Sequence, residues 1–290
     1  MFAITHFIGR VLVPLIFVLS AFPAPLSAQA GVPVNHPADI ADGIIGDPPA
    51  LSSCTYLTLN APDVSPRIGP QLKGLVVACD YANSDFSKLY CYNNSFPDAI
   101  LGTIDPTTCA TTSIGTSVLS GTSIKGMSWD ETTDTMFAVD STQLYTVDLA
   151  TADVAVVGTI TNESSIRAIG VDREGNMFGY GEVSDVLLAI DKTTAAGTII
   201  GPLGFNAGFG QAMDFDHTDD TCYLFAFNGD TFEGELRTCN ITTGAATLVG
   251  LIGSTTNPGA SNQWLAGSVR TPDGDPPIFA DGFESTDTSS

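Results

Sequence analysis

The stretch "VDLATADVAVVG", residues 147–158, decides the fold because the chain says it four times. "IDPTTCATTSIG" fills 104–115, "IDKTTAAGTIIG" fills 190–201 and "CNITTGAATLVG" fills 239–250. Each sets Asp105, Asp148, Asp191 or Asn240 ten residues before a glycine, and these positions recur at intervals of 43, 43 and 49 residues. Upstream stand "LYCYN" (89–93), "MFAVD" (136–140), "MFGYG" (177–181) and "LFAFN" (224–228). Further upstream stand "LKGLVVA" (72–78), "IKGMSWD" (124–130), "IRAIGVD" (166–172) and "GQAMDFD" (210–216). Alternating apolar positions rich in β-branched and aromatic side chains read as strands. Each unit therefore holds four short strands, a to d in chain order.

Units of about 40–50 residues with four strands each predict an all-β β-propeller, in which stacked blades cover one another's apolar faces. A β-sandwich would not need such regular repetition. "YLTLNAPDVSPRIG" (56–69) reads as one more c–d pair, and "QWLAGSV" (263–269) as one more strand a. The span 54–270 then predicts five blades, four complete and one composite, in which both chain ends join and remove open edges. "IFADG" (278–282) is expected to supply that blade's strand b. Residues 31–53 are expected to be an extension outside the propeller, and 271–290 a tail, disordered or a sorting tag.

Residues 1–30 have one Arg, an apolar run and a small-x-small "AQA" end, the pattern of a cleaved secretory signal. Pro14 and Pro23 break the run below the length of a membrane span, so the mature chain is expected to have no transmembrane segment. Without the leader, nine basic residues face 32 acidic ones, a net charge of −23 that repels nucleic acid. Charged residues are 14% and apolar ones 43%, the balance of a folded domain rather than a disordered one. The expected location is secreted, periplasmic or extracellular, with surface association as a variant.

Six cysteines in an exported chain predict disulfides. Cys222 opens strand b and Cys239 closes strand c of one blade, so they fall opposite each other. Cys79 and Cys91 flank an a–b turn, and Cys54 and Cys109 remain by elimination.

The two faces of the propeller read differently. At the start of strand a, Lys73, Lys125, Arg167 and Gln211 share one repeat position. They form a candidate ring of donors for an anion, a carboxylate or an acidic sugar. The competing reading is internal pairing with acids of the b–c turns: Asp98, Asp140, Glu182, Asp185, Asp230 and Glu233. Trp264 is a candidate for stacking on a sugar. The opposite face gathers acids in the a–b turns, where Asp130, Asp172 and Asp216 are the symmetric set that could hold calcium. No stretch has calcium-loop spacing, and capping of the turns is the competing reading. No G-x-S-x-G occurs, and His217 has no placeable Ser partner.

"IDPTTCATTSIG" and "CNITTGAATLVG" resemble the I-D-P-T-T-G-x-x-T-x-I-G phrase of secreted bacterial propeller proteins of the DUF4394-like type. "VDREGNMFGY" (171–180) is similar to the D-x-x-G-N phrase of NHL-type propellers, and "PPIFADGFES" resembles a D-G-F-E ending of some exported gammaproteobacterial proteins. These resemblances imply fold more than activity. The expected function is an exported, disulfide-stapled, non-catalytic binding or scaffold module for a glycan or an exported protein. The alternative is a metal-dependent hydrolase or lactonase with its site at the channel mouth.

Overall fold

The computed structural model describes residues 40–47, 51–95, 98–209, 211–256 and 262–270. Strands β1 (Ile40–Asp47), β2 (Leu51–Thr58) and β3 (Arg67–Leu72) come first. The first complete blade is β4 (Val76–Asp80), β5 (Leu89–Ser95), β6 (Asp98–Ile104) and β7 (Thr111–Ser120). The second is β8 (Gly126–Asp130), β9 (Thr135–Val139), β10 (Gln143–Val147) and β11 (Val154–Thr159). The third is β12 (Ile166–Val171), β13 (Met177–Gly181), β14 (Val186–Ile190) and β15 (Gly197–Pro202). The fourth is β16 (Ala212–Asp216), β17 (Thr221–Asn228), β18 (Glu233–Cys239) and β19 (Ala246–Leu251). Strand β20 (Trp264–Arg270) then pairs with β1, giving a fifth sheet in the order β20-β1-β2-β3. The inner strands β4, β8, β12, β16 and β20 contact one another in a closed cycle. The fold is a five-bladed β-propeller of antiparallel four-stranded blades, without a helix among the described residues.

The closing blade differs from expectation in one strand. Its strand b is β1, so residues from Ile40 on belong to the propeller, ahead of the expected start at 54. The segment 278–282 lies outside the described residues. Ile40, Ala41, Ile44 and Ile45 are buried, which is why "IADGIIGD" joins the core despite its two glycines. Gly43 is needed there, because any Cβ would collide with the indole of Trp264.

The repeated phrase builds one turn four times. Asp105, Asp148, Asp191 and Asn240 each accept two backbone N–H bonds on one Oδ1, at 2.7–3.1 Å, from the residues two and three further on. A backbone bond of 2.8 Å from the fifth residue of each turn closes it. That fifth residue is Cys109, Ala152, Ala195 or Gly244, each with φ between 60 and 82°. The phrase's glycine lies against the same turn of the neighbouring blade: Gly115 on Thr151, Gly158 on Thr194, Gly201 on Thr243. Gly69 meets Thr108 and Gly250 meets Pro62, which completes the circle of five contacts.

All three expected disulfides form, and no described cysteine is free. Cys222 with Cys239 and Cys79 with Cys91 are direct cross-strand partners. Cys54–Cys109 ties β2 of the closing blade to the c–d turn of the next blade.

Candidate functional site

The inner strands all start on one face, where they ring a cavity of about 320 Å³ at the mouth of the central channel. Lys125, Arg167 and Gln211 converge on it, together with Phe209, Gln263 and Leu265. Three of the four residues expected at this position are therefore brought together.

Lys73 is the exception. Val77 pairs with Tyr92 where Gly126 pairs with Val139, so Val76 stands in the place of Lys125. Lys73 lies three residues ahead of Val76, before β4 begins, and the bulge between Val77 and Cys79, with Ala78 at φ 52°, does not make up that distance. Its exposed side chain lines a separate cleft of about 430 Å³ with Asn93, Ile100 and Thr111.

The three mouth residues differ in how well they are satisfied. The Arg167 guanidinium forms an ion pair with Glu182, while its Nε is buried without a partner. Burial pulls the Arg167 pKa down. Lys125 donates to Ser123 Oγ at 3.0 Å and holds no carboxylate among the described residues. Burial, and then the charge of Arg167, press the Lys125 ammonium below its ordinary pKa, with Asp140 opposing. Gln211 Oε1 accepts from Tyr180 Oη at 3.0 Å and from the Phe227 N–H at 3.3 Å. Those donors fix the orientation of the amide, so its Nε2 is left as a buried donor without an acceptor. Among the described residues, Glu182 is the expected acid that forms an ion pair with this ring. Asp140 is spent on its own turn and on Tyr145, and Asp185 and Asp230 hold the 206–207 loop. The Asp98 side chain lies outside the described residues.

Trp264 does not face a ligand. It is fully buried in the closing blade and stacks on Phe225 with centroids 5.2 Å apart. The glycines at 43 and 267 make the room that keeps this ring in the core.

On the opposite face, the expected calcium set does not converge. Asp130 accepts from Thr132 N at 3.0 Å, Thr132 Oγ1 at 2.7 Å and Thr133 Oγ1 at 2.7 Å, and also pairs with Lys192. Asp172 caps its turn through Asn176, and Asp216 does so through Thr218. Among the described residues no three His, Cys, Asp or Glu side chains are grouped as metal ligands. His217 sits with its Nε2 3.1 Å from the Val171 carbonyl and its Nδ1 3.7 Å from Glu131.

One buried cluster escaped the sequence reading. Asp80, Ser128, Gly170, Asp214 and Ser268 occupy one position on the five inner strands, lining the axis. Asp80 Oδ2 accepts the Trp129 N–H at 2.6 Å, Ser128 Oγ the Val171 N–H at 2.9 Å and Asp214 Oδ2 the Val269 N–H at 2.6 Å. Each bond crosses to the next blade. Ser268 Oγ lies 2.6 Å from Asp80 and 2.9 Å from Asp214. The available signal was a polar residue inside an apolar inner strand, as in "VVACD" and "AMDFD".

Comparison with known proteins supports the fold. No family model and no curated protein sequence matches the chain. Among solved structures, a nidogen/laminin complex aligns with TM-score 0.54 at 11% identity, over 80% of this chain and 100% of that one. TolB from Acinetobacter baumannii aligns at 0.47 and 13% identity, over 73% of this chain and 53% of that one. Virginiamycin B lyase from Staphylococcus aureus aligns at 0.44 and 9% identity, over 75% and 72%. At these identities the likeness is one of fold, and the chain is similar to known β-propellers.

Proposed function

We propose that the protein is an exported, non-catalytic binding module that takes a carboxylate at the channel mouth. The observation that carries this reading is the pair of buried, unmatched donors, Gln211 Nε2 and Arg167 Nε, on neighbouring inner strands, with a desolvated Lys125 on the next strand beyond Arg167. A buried donor without an acceptor costs about 1–3 kcal/mol, which an arriving acceptor returns. A carboxylate offers acceptors to several donors at once and counters the residual positive charge. The cavity, about 320 Å³, suits one side chain or one small acid. Three disulfides and an expected leader fit a module that works outside the cytoplasm. A structural neighbour of the same fold comes from a complex of two proteins, which fits a binding role.

The test is ligand-observed NMR on residues 31–290 with propionate, benzoate and galacturonate as probes. Wild-type protein is expected to broaden their signals, and Lys125→Ala/Arg167→Ala to abolish the effect without loss of fold. Equal broadening by the double variant, or none by wild type, would end the carboxylate reading. Because binding favours charged Lys125, affinity is expected to fall as pH rises through that residue's lowered pKa.

A further inference from the structure

We infer that the face carrying the channel mouth docks a second exported protein, which inserts an acidic side chain at Lys125, Arg167 and Gln211 and lays apolar side chains on Phe209 and Phe232. This rests on the carboxylate reading above and adds the kind of partner. Phe209 is 57% exposed and Phe232 61%, on either side of buried Phe227, with ring centroids 5.4 and 6.5 Å from it. Val183, 65% exposed, stands in the b–c turn of the neighbouring blade, on the same face. Phe209 also lines the cavity, so the ledge and the donors are continuous. The ledge reaches outward over the turns of two blades, beyond what one small acid could cover. An anchored polar group beside aromatic contacts is the arrangement of an interface centre.

Backbone conformation supplies a second, independent observation. Phe209 has φ 59° and Phe232 φ 60°. This left-handed region strains bulky side chains, and glycine, asparagine or aspartate take it more readily. The preceding blade shows the ordinary solution: Asp185, directly before β14 as Phe232 is directly before β18, has φ 51°. The two phenylalanines thus sit in disfavoured backbone and in water at once, a combination that gains nothing for the isolated fold. Nor is the ledge slack. The Leu203 N–H donates to the Asp185 carbonyl at 2.8 Å, Ala207 N to Asp185 Oδ1 at 2.8 Å, Gly208 N to the Phe227 carbonyl at 3.0 Å and Asn206 Nδ2 to Asp230 at 2.9 Å. A surface ordered before contact loses little entropy on binding.

The experiment selects peptides of about 10 residues on residues 31–290 from two displayed libraries, one with a central Asp and one with a central Asn. Selected peptides are then titrated calorimetrically against wild type, Phe209→Gly/Phe232→Gly and Lys125→Ala/Arg167→Ala. The expected result is binders from the Asp library alone, with aromatic or branched apolar residues near the Asp. Each double variant should weaken them roughly ten-fold or more. The glycine variant is expected to melt no lower than wild type, which separates lost contact from lost fold. Peptides that need Lys125 and Arg167 but ignore the phenylalanines would overturn the docking surface and leave the carboxylate reading intact. So would benzoate binding as tightly as the best peptide, or no peptide selected while propionate still binds. Equal yield from the Asn library would overturn both.

Discussion

A glycine that ends a repeated phrase suggests a hinge, yet here it is a point of contact. At Gly201 a Cβ would run into the Thr243 carbonyl of the next blade, and Gly158 would place one 2.9 Å from the Thr194 oxygen. Neither residue has a left-handed φ, so the need is for space. Gly201→Ala should therefore push two blades apart and cost about 1–3 kcal/mol, read as a lowered urea midpoint. Gly46→Ala is the control, because its nearest neighbour would be 3.5 Å away, an ordinary contact. That variant should stay within about 1 kcal/mol of wild type, on the stable side, since alanine loses less backbone entropy in a strand than glycine. Equal losses at both positions would show that strand entropy rather than the blade contact keeps the glycine. The phrase announced its turn through Asp and Thr, but its glycine acts on a neighbouring blade, and contacts between blades leave no local pattern to read.

At the scale of elements, strands were legible wherever alternation was clean and lost wherever space was needed. β1 carries Gly43 because a buried indole lies over it and Asp42 because it accepts from Tyr81 and Arg270, and these residues together with Gly46 dilute its apolar pattern below recognition. Lys73 was misplaced because "LKGLVVA" imitates "IKGMSWD" three residues too early, where β3 ends rather than where β4 begins. The donor set was legible because Lys125, Arg167 and Gln211 each stand three residues before the axis position held by Ser128, Gly170 and Asp214. The acids of the a–b turns were equally visible, but their number did not reveal how each is used. Asp130, Asp172 and Asp216 already accept from Thr132, Thr133, Asn176, Thr218 and Lys192. Calcium would have to displace these donors for ligands that do not converge. The melting temperature of residues 31–290 is therefore expected to be the same in millimolar calcium and in EDTA. A clear rise with calcium would mean that the folded state binds the ion preferentially and that these turns rearrange around it.

At the scale of the whole molecule, the ring closes through a buried belt in which one serine joins two carboxyl groups. Ser268, on β20, touches both Asp80 and Asp214, at 2.6 and 2.9 Å. Its hydroxyl has one hydrogen and satisfies one carboxylate, so the other contact needs a proton on a carboxyl group. The surroundings agree: burial, and then the charge of Asp214, hold Asp80 well above the ordinary carboxylate value of 3.8. Burial raises Asp214 as well, against the pull of His217. The sign of the linkage follows. A carboxyl with a raised folded-state pKa binds more protons folded than unfolded, so stability falls as pH climbs from about 4 through the raised values. The turn caps Asp105, Asp148 and Asp191 have lowered pKa values and act the other way, losing their contribution as pH falls through those values. The two trends together place greatest stability near a pH of about 4, above the values where the turn caps are lost and below those where the raised carboxyls ionise. Asp80→Asn tests the belt directly. Its amide oxygen can accept the Trp129 N–H, and its NH₂ can donate to Ser268, which then donates to Asp214 with no titrating proton between them, at the expense of the Tyr81 N–H that Asp80 Oδ1 accepts at 2.8 Å. The variant is therefore expected to be less stable at pH 4, and its urea midpoint to decline less than that of wild type from pH 4 to 8, so that the gap between the curves changes with pH. Parallel curves would mean that both carboxylates are ionised across the range, and that Ser268 closes the ring without a shared proton.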